Sequence, residues 1–209
     1  MQIVYQAIDG IGLSCIIVSL SVASVAFGID VAKGVEAYLP SIRYPKPLAR
    51  YTASLLAVLL YAATFITYFF LSASFRHKAT AALMFSFPGA LTRHLLQFKL
   101  NKLCKTLPVG TLTANLLGTA LLAAFHTTQT LEHPVGPRAC SLLEGLADGY
   151  CACLTTVSTF AVEIRDLGGW RAVRYGFLSW ALGQVFIVLI YGTPLWSGHS
   201  REQVTCRFV

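Results

Sequence analysis

Six stretches of the chain, residues 8–27, 52–73, 80–98, 109–126, 142–163 and 172–196, are apolar over about 20 positions, the length that carries a helix across ~30 Å of hydrocarbon. The pattern predicts an all-α integral membrane protein with six transmembrane helices. The third and fifth windows differ from the others, because each mixes Gly or Pro with an ionisable residue. The fifth is the more unusual. Gly149 lies at its centre, and Thr155, Thr156, Ser158 and Thr159 crowd the positions after it. Loosened backbone at membrane depth survives only where it is buried in protein or lines a wet path, since each unsatisfied N–H or C=O costs several kcal/mol in hydrocarbon. The spacing therefore predicts one broken helix facing something polar. The competing reading is an unbroken helix whose hydroxyls bond back to carbonyls one turn earlier.

Along the remaining windows the character changes from helix to helix. Ser14, Ser19, Ser21 and Ser24 give the first span a small-residue surface that permits close helix approach. The second, LLAVLLYAATFITYFFL, is bulky, aromatic and uncharged, which suits a lipid-facing spacer that inverts the spans after it. In the third, Pro88 and Gly89 loosen the helix ahead of Arg93, which either snorkels to the interface or provides a fixed charge that draws anions. Asn115 in the fourth span places an amide near mid-membrane beside Gly110, Ala114 and Gly118. Helix-to-helix glue and a transport-path donor are both open to it. In the last span Tyr175 and Ser179, four residues apart, share a helical face.

Composition agrees with the pattern: 56% of the 209 residues are hydrophobic and only 12% charged, half the share usual in soluble domains. The net charge of +7 raises the question of a nucleic-acid partner, but the basic residues sit in loops. Lys33, Arg43, Lys46, Arg50, Lys99, Lys102, Lys105, Arg165, Arg171 and Arg174 fall on one side of a six-span arrangement, and Arg76, Lys78, Arg138, Arg201 and Arg207 on the other. This asymmetry puts both termini outside the cytoplasm and leaves no basic face for nucleic acid. The six cysteines contain no CxxC pair, and their scatter suggests neither a disulfide framework nor a zinc site.

Three ordered motifs, GALTR at 89–93, GTLTAN at 110–115 and GYCACLTTVSTFAVE at 149–163, resemble the fluoride channels of the CrcB/Fluc family. Pro88, Val157 in place of a phenylalanine, and the spacer helix are most similar to its eukaryotic fluoride exporter (FEX) branch, where two four-helix domains are fused through a linking helix. The resemblance implies that residues 1–33 hold the last helix of a first channel domain, 34–78 a connector and linker helix, 79–196 a complete second domain, and 197–209 a short extracytoplasmic tail. On this reading three helices of the first domain are missing, and the chain is expected to need them, or a second chain, to conduct.

The same resemblance implies a fluoride path of Asn115, Ser158, Thr159, Phe160, Tyr175 and Ser179, with Arg93 in a vestibule. Thr155 matches the position where the family's broken helix offers a backbone carbonyl to a central structural sodium ion, and no other cofactor is expected. Val157, Ala152, Cys153, Gly183 and Ile187 depart from the family pattern, which puts one of two pores in doubt. A passive fluoride channel of the plasma membrane, with fluoride and lipid as its partners, is the implied function.

The chemistry suits the ion. Fluoride is strongly hydrated, so a dry path must replace its water with an amide N–H, hydroxyls and the electropositive edge of a phenyl ring, and weak serial sites let it leave. Three other readings compete: a small-multidrug-type exporter, for which Asp148 is the only mid-span carboxylate; a membrane enzyme using His94 or His126; and an inactive fragment or subunit of a channel.

Overall fold

The computed structural model describes residues 2–36, 38, 46–71, 81–104, 106–133 and 135–200. Among them the chain is all-helical, apart from one isolated bridge between Leu131 and Ser200. In order come α1 (Gln2–Glu36), α2 (Pro47–Phe70), α3 (Ala81–Leu100), α4 (Val109–Gln129) and α5 (Pro137–Gly145). α5 winds on through a π-helical stretch (Leu146–Cys151) into a last α turn (Ala152–Leu154). Next are α6 (Val157–Leu167), α7 (Gly169–Ile187), a second π-helical stretch (Val188–Gly192) and a closing turn (Thr193–Trp196).

Four helical segments among the described residues are long and apolar enough to cross a membrane: Gly10–Glu36, Pro47–Phe70, Val109–Gln129 and Gly169–Trp196. They correspond to the first, second, fourth and sixth apolar windows. The third window is helical from Ala81 on, but Thr92, Arg93, His94 and Gln97 dilute its hydropathy. The fifth is interrupted, as its glycine and hydroxyls predict.

By its contacts the chain divides into two compact units, residues 1–44 with 157–176, and residues 45–156 with 177–209. The cut at Thr156 falls inside the 79–196 stretch expected as one domain. Thr80, Arg43, Arg76, Lys78, Lys105, Cys206 and the tail at 201–209 lie outside the described residues.

In the smaller unit α1 packs against α6. Ser14, Ser21 and Ser24 of α1 donate to Gly10, Ile17 and Leu20 carbonyls at 2.7–2.8 Å, so their hydroxyls are satisfied within the helix. α6 turns into α7 through Gly168 and Gly169, at φ +57° and +51°. Each sits in the left-handed region, which costs other residues about 1–2 kcal/mol.

The larger unit is organised around α3, which packs against the π-helical stretch, α4, the last α turn, α5 and α2. Its closest crossing is backbone on backbone. A methyl group at Gly89 would strike the Tyr150 carbonyl, one at Gly149 the Ala82 carbonyl, and one at Gly145 would lie 2.6 Å from the Ala81 methyl. Small residues let these segments touch, which is how membrane helices gain packing where hydrophobicity offers no preference over lipid. Tyr150 then reaches across to donate to the Thr92 hydroxyl at 3.2 Å.

Pro88 lies inside α3 and has no N–H to give the Met84 carbonyl one turn earlier. Tyr61 of α2 donates its hydroxyl to that carbonyl at 2.7 Å, and its ring lies 5.0 Å from the Phe87 ring. The exposed apolar surface of α2, which has no buried residue, is thus anchored to α3 through a polar group. At the far end, Thr127 donates to the Ile190 carbonyl at 3.3 Å and His126 stacks on Tyr191 at 5.3 Å, tying α4 to the second π-helical stretch.

The reading of the cysteines is corrected at Cys140, which is disulfide-bonded. Sequence spacing does not reveal which distant thiols the fold brings within bonding range. Cys15, Cys104, Cys151 and Cys153 are free.

Two stability effects are expected. Tyr61→Phe should lower stability by about 1 kcal/mol by leaving a carbonyl bare, and Pro88→Ala, which restores an intrahelical donor, should erase most of that loss in a double-mutant cycle read by thermal melting. Gly149→Ala should lower stability by about 1–3 kcal/mol, while Gly183→Ala, with nothing within 4 Å of the added carbon, should melt like wild type.

Candidate functional site

The helix that starts at Pro137 ends at Leu154, and Thr155 leaves it in an extended conformation at φ −76°, ψ 156°. α6 begins at Val157. Breaking a helix here strands the carbonyls of one segment and the amides of the next. Thr155 does what a Thr at a helix end does, and both its N–H and its hydroxyl bond to the Cys151 carbonyl, at 2.9 and 3.0 Å. The back-bonding expected of an unbroken helix is therefore present at the last turn of a broken one.

The neighbouring residue is held from α4. Asn115 accepts the Thr156 N–H through Oδ1 at 2.8 Å and donates Nδ2 to the Thr156 carbonyl at 3.2 Å. This two-point clasp uses the amide as a replacement peptide, giving the broken backbone the partners a helix would have given. Gly118, one turn along α4, makes room for the Thr155 side chain, since a methyl group there would collide with Cγ2. The amide nitrogen carries two hydrogens, and the clasp engages one of them.

The Thr155 carbonyl is met from α3, where the half-buried Arg93 donates Nη1 to it at 3.4 Å. A guanidinium at a helix C-terminus also complements the partial negative charge of the terminal carbonyls. Around the break, then, the carbonyls of Cys151, Thr155 and Thr156 and the side-chain oxygen of Asn115 all accept from protein donors. A sodium ion would need such oxygens as close ligands. The Thr155 carbonyl accepts one bond and keeps a second lone pair, so the oxygen donors at the break fit the sodium ion that the resemblance implies, which would be held through that carbonyl.

The smaller unit holds the other expected residues. Ser158, which is exposed, and Thr159, half-buried, lie in the first turn of α6. Phe160 lies one turn before Glu163 on the same face, with its ring 5.2 Å from that of Tyr175 at an interplanar angle of 51°. Tyr175 is fully buried and donates its hydroxyl to Glu163 Oε2 at 2.8 Å. Ser179 is half-buried further along α7, where the chain has passed into the larger unit.

Of the eight expected residues, the structure joins Arg93 to Thr155, sets Asn115 on the backbone beside them, and joins Phe160 to Tyr175. Two participants have no role in the sequence reading. Thr156 counts there only as a hydroxyl, whereas its backbone is what Asn115 grips. Glu163 closes the third motif, and the signal available was an acid three positions after an aromatic in an apolar run. The residues of the competing readings are placed elsewhere: Asp148 is exposed on the π-helical stretch, His94 stacks on Phe98, and His126 on Tyr191.

Comparison with known proteins bears on the whole of this arrangement. The family described as CrcB-like protein, Camphor Resistance (CrcB), matches residues 80–192. Fluoride export protein 1 of Candida albicans is 36% identical over 187 residues, 85% of this chain and 48% of the relative. Fluoride export protein 1 of Neurospora crassa is 38% identical over 122 residues, 58% of this chain and 23% of the relative. The chain thus spans about half, or less, of the length of these fungal relatives. Fluoride-specific ion channel FluC 1 of Yersinia pestis is 37% identical over 102 residues, 47% of this chain and 72% of the relative. With the motif-bearing segment matched from before Arg93 to beyond Ser179, this chain belongs to the CrcB-like protein family.

Proposed function

We propose that this chain forms one wall of a passive fluoride path and serves fluoride export across the membrane that holds it. The observation that carries the reading is the Asn115 clasp on Thr156: an apolar span is broken, and its open backbone is held by an amide with a hydrogen to spare. Matches to relatives named for fluoride export and fluoride-specific conduction supply the ion. The residues that the resemblance assigns to such an ion are Asn115 with its amide hydrogen, Ser158 and Thr159 with their hydroxyls, Phe160 with its ring edge, and Tyr175 and Ser179. Arg93 adds positive potential that raises the local anion concentration. None of these steps makes or breaks a covalent bond, so the role is transport rather than catalysis.

The domain division expected from sequence, with 79–196 as a channel domain and residues 34–78 as connector and linker helix, belongs to the same proposal. So does completion of the path by further helices, in cis or from a second chain. The plasma membrane, with both termini extracytoplasmic, is the proposed setting. Its support is the basic asymmetry of the loops together with the Cys140 disulfide, because disulfides persist in oxidising compartments and Cys140 comes after a loop assigned to the outer side.

Asn115→Ala should cut fluoride efflux from loaded cells or vesicles by about 10- to 100-fold, the worth of a hydrogen bond to a charged partner, with the protein still in the membrane. Asn115→Asp keeps an acceptor for the Thr156 N–H but adds a negative charge, and should fail in flux while melting closer to wild type than the alanine variant. Wild-type efflux in Asn115→Ala would reduce the residue to helix glue. For orientation, tags at residues 1 and 209 should be reached by impermeant antibody in intact cells, and detection only after permeabilisation would overturn the proposed topology.

A further inference from the structure

We propose that Cys206 is the partner of Cys140, so that a disulfide straps the end of the chain to the first turn of the helix that later breaks. The strap holds whichever ion passes.

Three features point the same way. The first is a count. The chain has six cysteines; Cys15, Cys104, Cys151 and Cys153 are free and Cys140 is bonded, which leaves Cys206. The second is placement. After the closing turn ends at Trp196 the chain doubles back: the His199 N–H bonds to the Pro194 carbonyl at 3.0 Å, and the His199 carbonyl accepts the Glu132 N–H at 3.1 Å. Ser200 bridges to Leu131, and Ser200, Gln129 and Thr130 are all buried. The chain is thus laid against the connection from α4 to α5, and Cys140 stands in the first turn of α5, where its N–H bonds to the Gly136 carbonyl. A tail leaving from Leu131 has residues 201–206, up to about 20 Å of extended chain, with which to reach it. The third is setting. Arg138 and Arg201, close to the two cysteines in sequence, both fall on the side assigned to the outside, where disulfides persist, and Cys140 is fully buried, which shields the bond from reductants. Forming the bond takes two protons and two electrons from the pair of thiols, and a protein disulfide of the secretory route takes them up and becomes two thiols. Between residues 140 and 206 lie the helix break, α6 and α7, so the bond encloses all three in one covalent loop.

The test is peptide mapping of the 209-residue chain, isolated with its free thiols blocked by N-ethylmaleimide during denaturing lysis. Without reductant, a proteolytic fragment carrying Cys140 is expected to be joined to one carrying Cys206, with a mass two hydrogens below the sum of the two, and to part from it in dithiothreitol. Cys206→Ser is expected to leave Cys140 blocked by the maleimide and to lower the melting temperature in detergent micelles by about 5 °C or more. Added to Cys140→Ser, the same substitution is expected to lower it no further. Three results would overturn the inference: Cys206 blocked in wild type, Cys140 joined to another cysteine or to a second chain, or losses from the two serine variants that add. If Cys140→Ser fails to fold, the mapping of wild type and of Cys206→Ser still decides.

Discussion

A peptide group without a partner in hydrocarbon is the constraint on which the rest of this molecule depends. Breaking a membrane helix between Leu154 and Val157 exposes several such groups at once, and each would cost several kcal/mol if left bare. The chain answers from three directions. Thr155 turns back on its own helix, Asn115 reaches in from α4, and Arg93 reaches in from α3. The break is therefore a supported structure, and the supports are polar groups that an anion can also use. In the proposed function, conduction and satisfaction of the backbone draw on the same amide of Asn115.

Those reaching side chains work only if their helices stand at fixed distances from the broken segment. Backbone contact supplies the rigidity: Gly89 against Tyr150 and Gly149 against Ala82 leave no slack for a side chain to take up. A Leu-lined interface would tolerate sliding of a fraction of an ångström, whereas carbonyl against Cα does not. The same logic extends to Pro88, whose missing N–H converts a carbonyl of α3 into an acceptor for Tyr61. A local defect in one helix becomes the specific attachment point of another.

Much of the fold and part of the site are legible in the residues. The apolar windows mark the helical architecture, and Gly149 with four clustered hydroxyls marks the break, because both signals are local. The partnership of Arg93 with Thr155 is not legible, since 62 residues separate them and no periodicity links one helix to a carbonyl on another. Tyr61 and Met84 are within reach in principle, because a proline in a helix announces a bare carbonyl four residues earlier, though not who answers it. Glu163 stands in plain view at the end of a motif, yet its bond to Tyr175 depends on the turn at Gly168 and Gly169 between α6 and α7. The Cys140 disulfide is hidden for the same reason, as proximity of distant thiols is a property of the folded chain.

The π-helical winding from Leu146 to Cys151 changes what a residue count means along this helix. One wider turn holds an additional residue, so everything upstream is rotated by about 100° relative to a continuous α-helix. Gly145 and Gly149, four residues apart, both meet α3, at Ala81 and Ala82. Length in this span is consequently a coordinate of its own: removing a single residue anywhere between Leu146 and Cys151 would swing Pro137–Gly145 off its seat while leaving Thr155 where it is. The stretch behaves as a phase shifter, and two sequences differing here by one residue would present different faces to α3 even with every side chain otherwise the same.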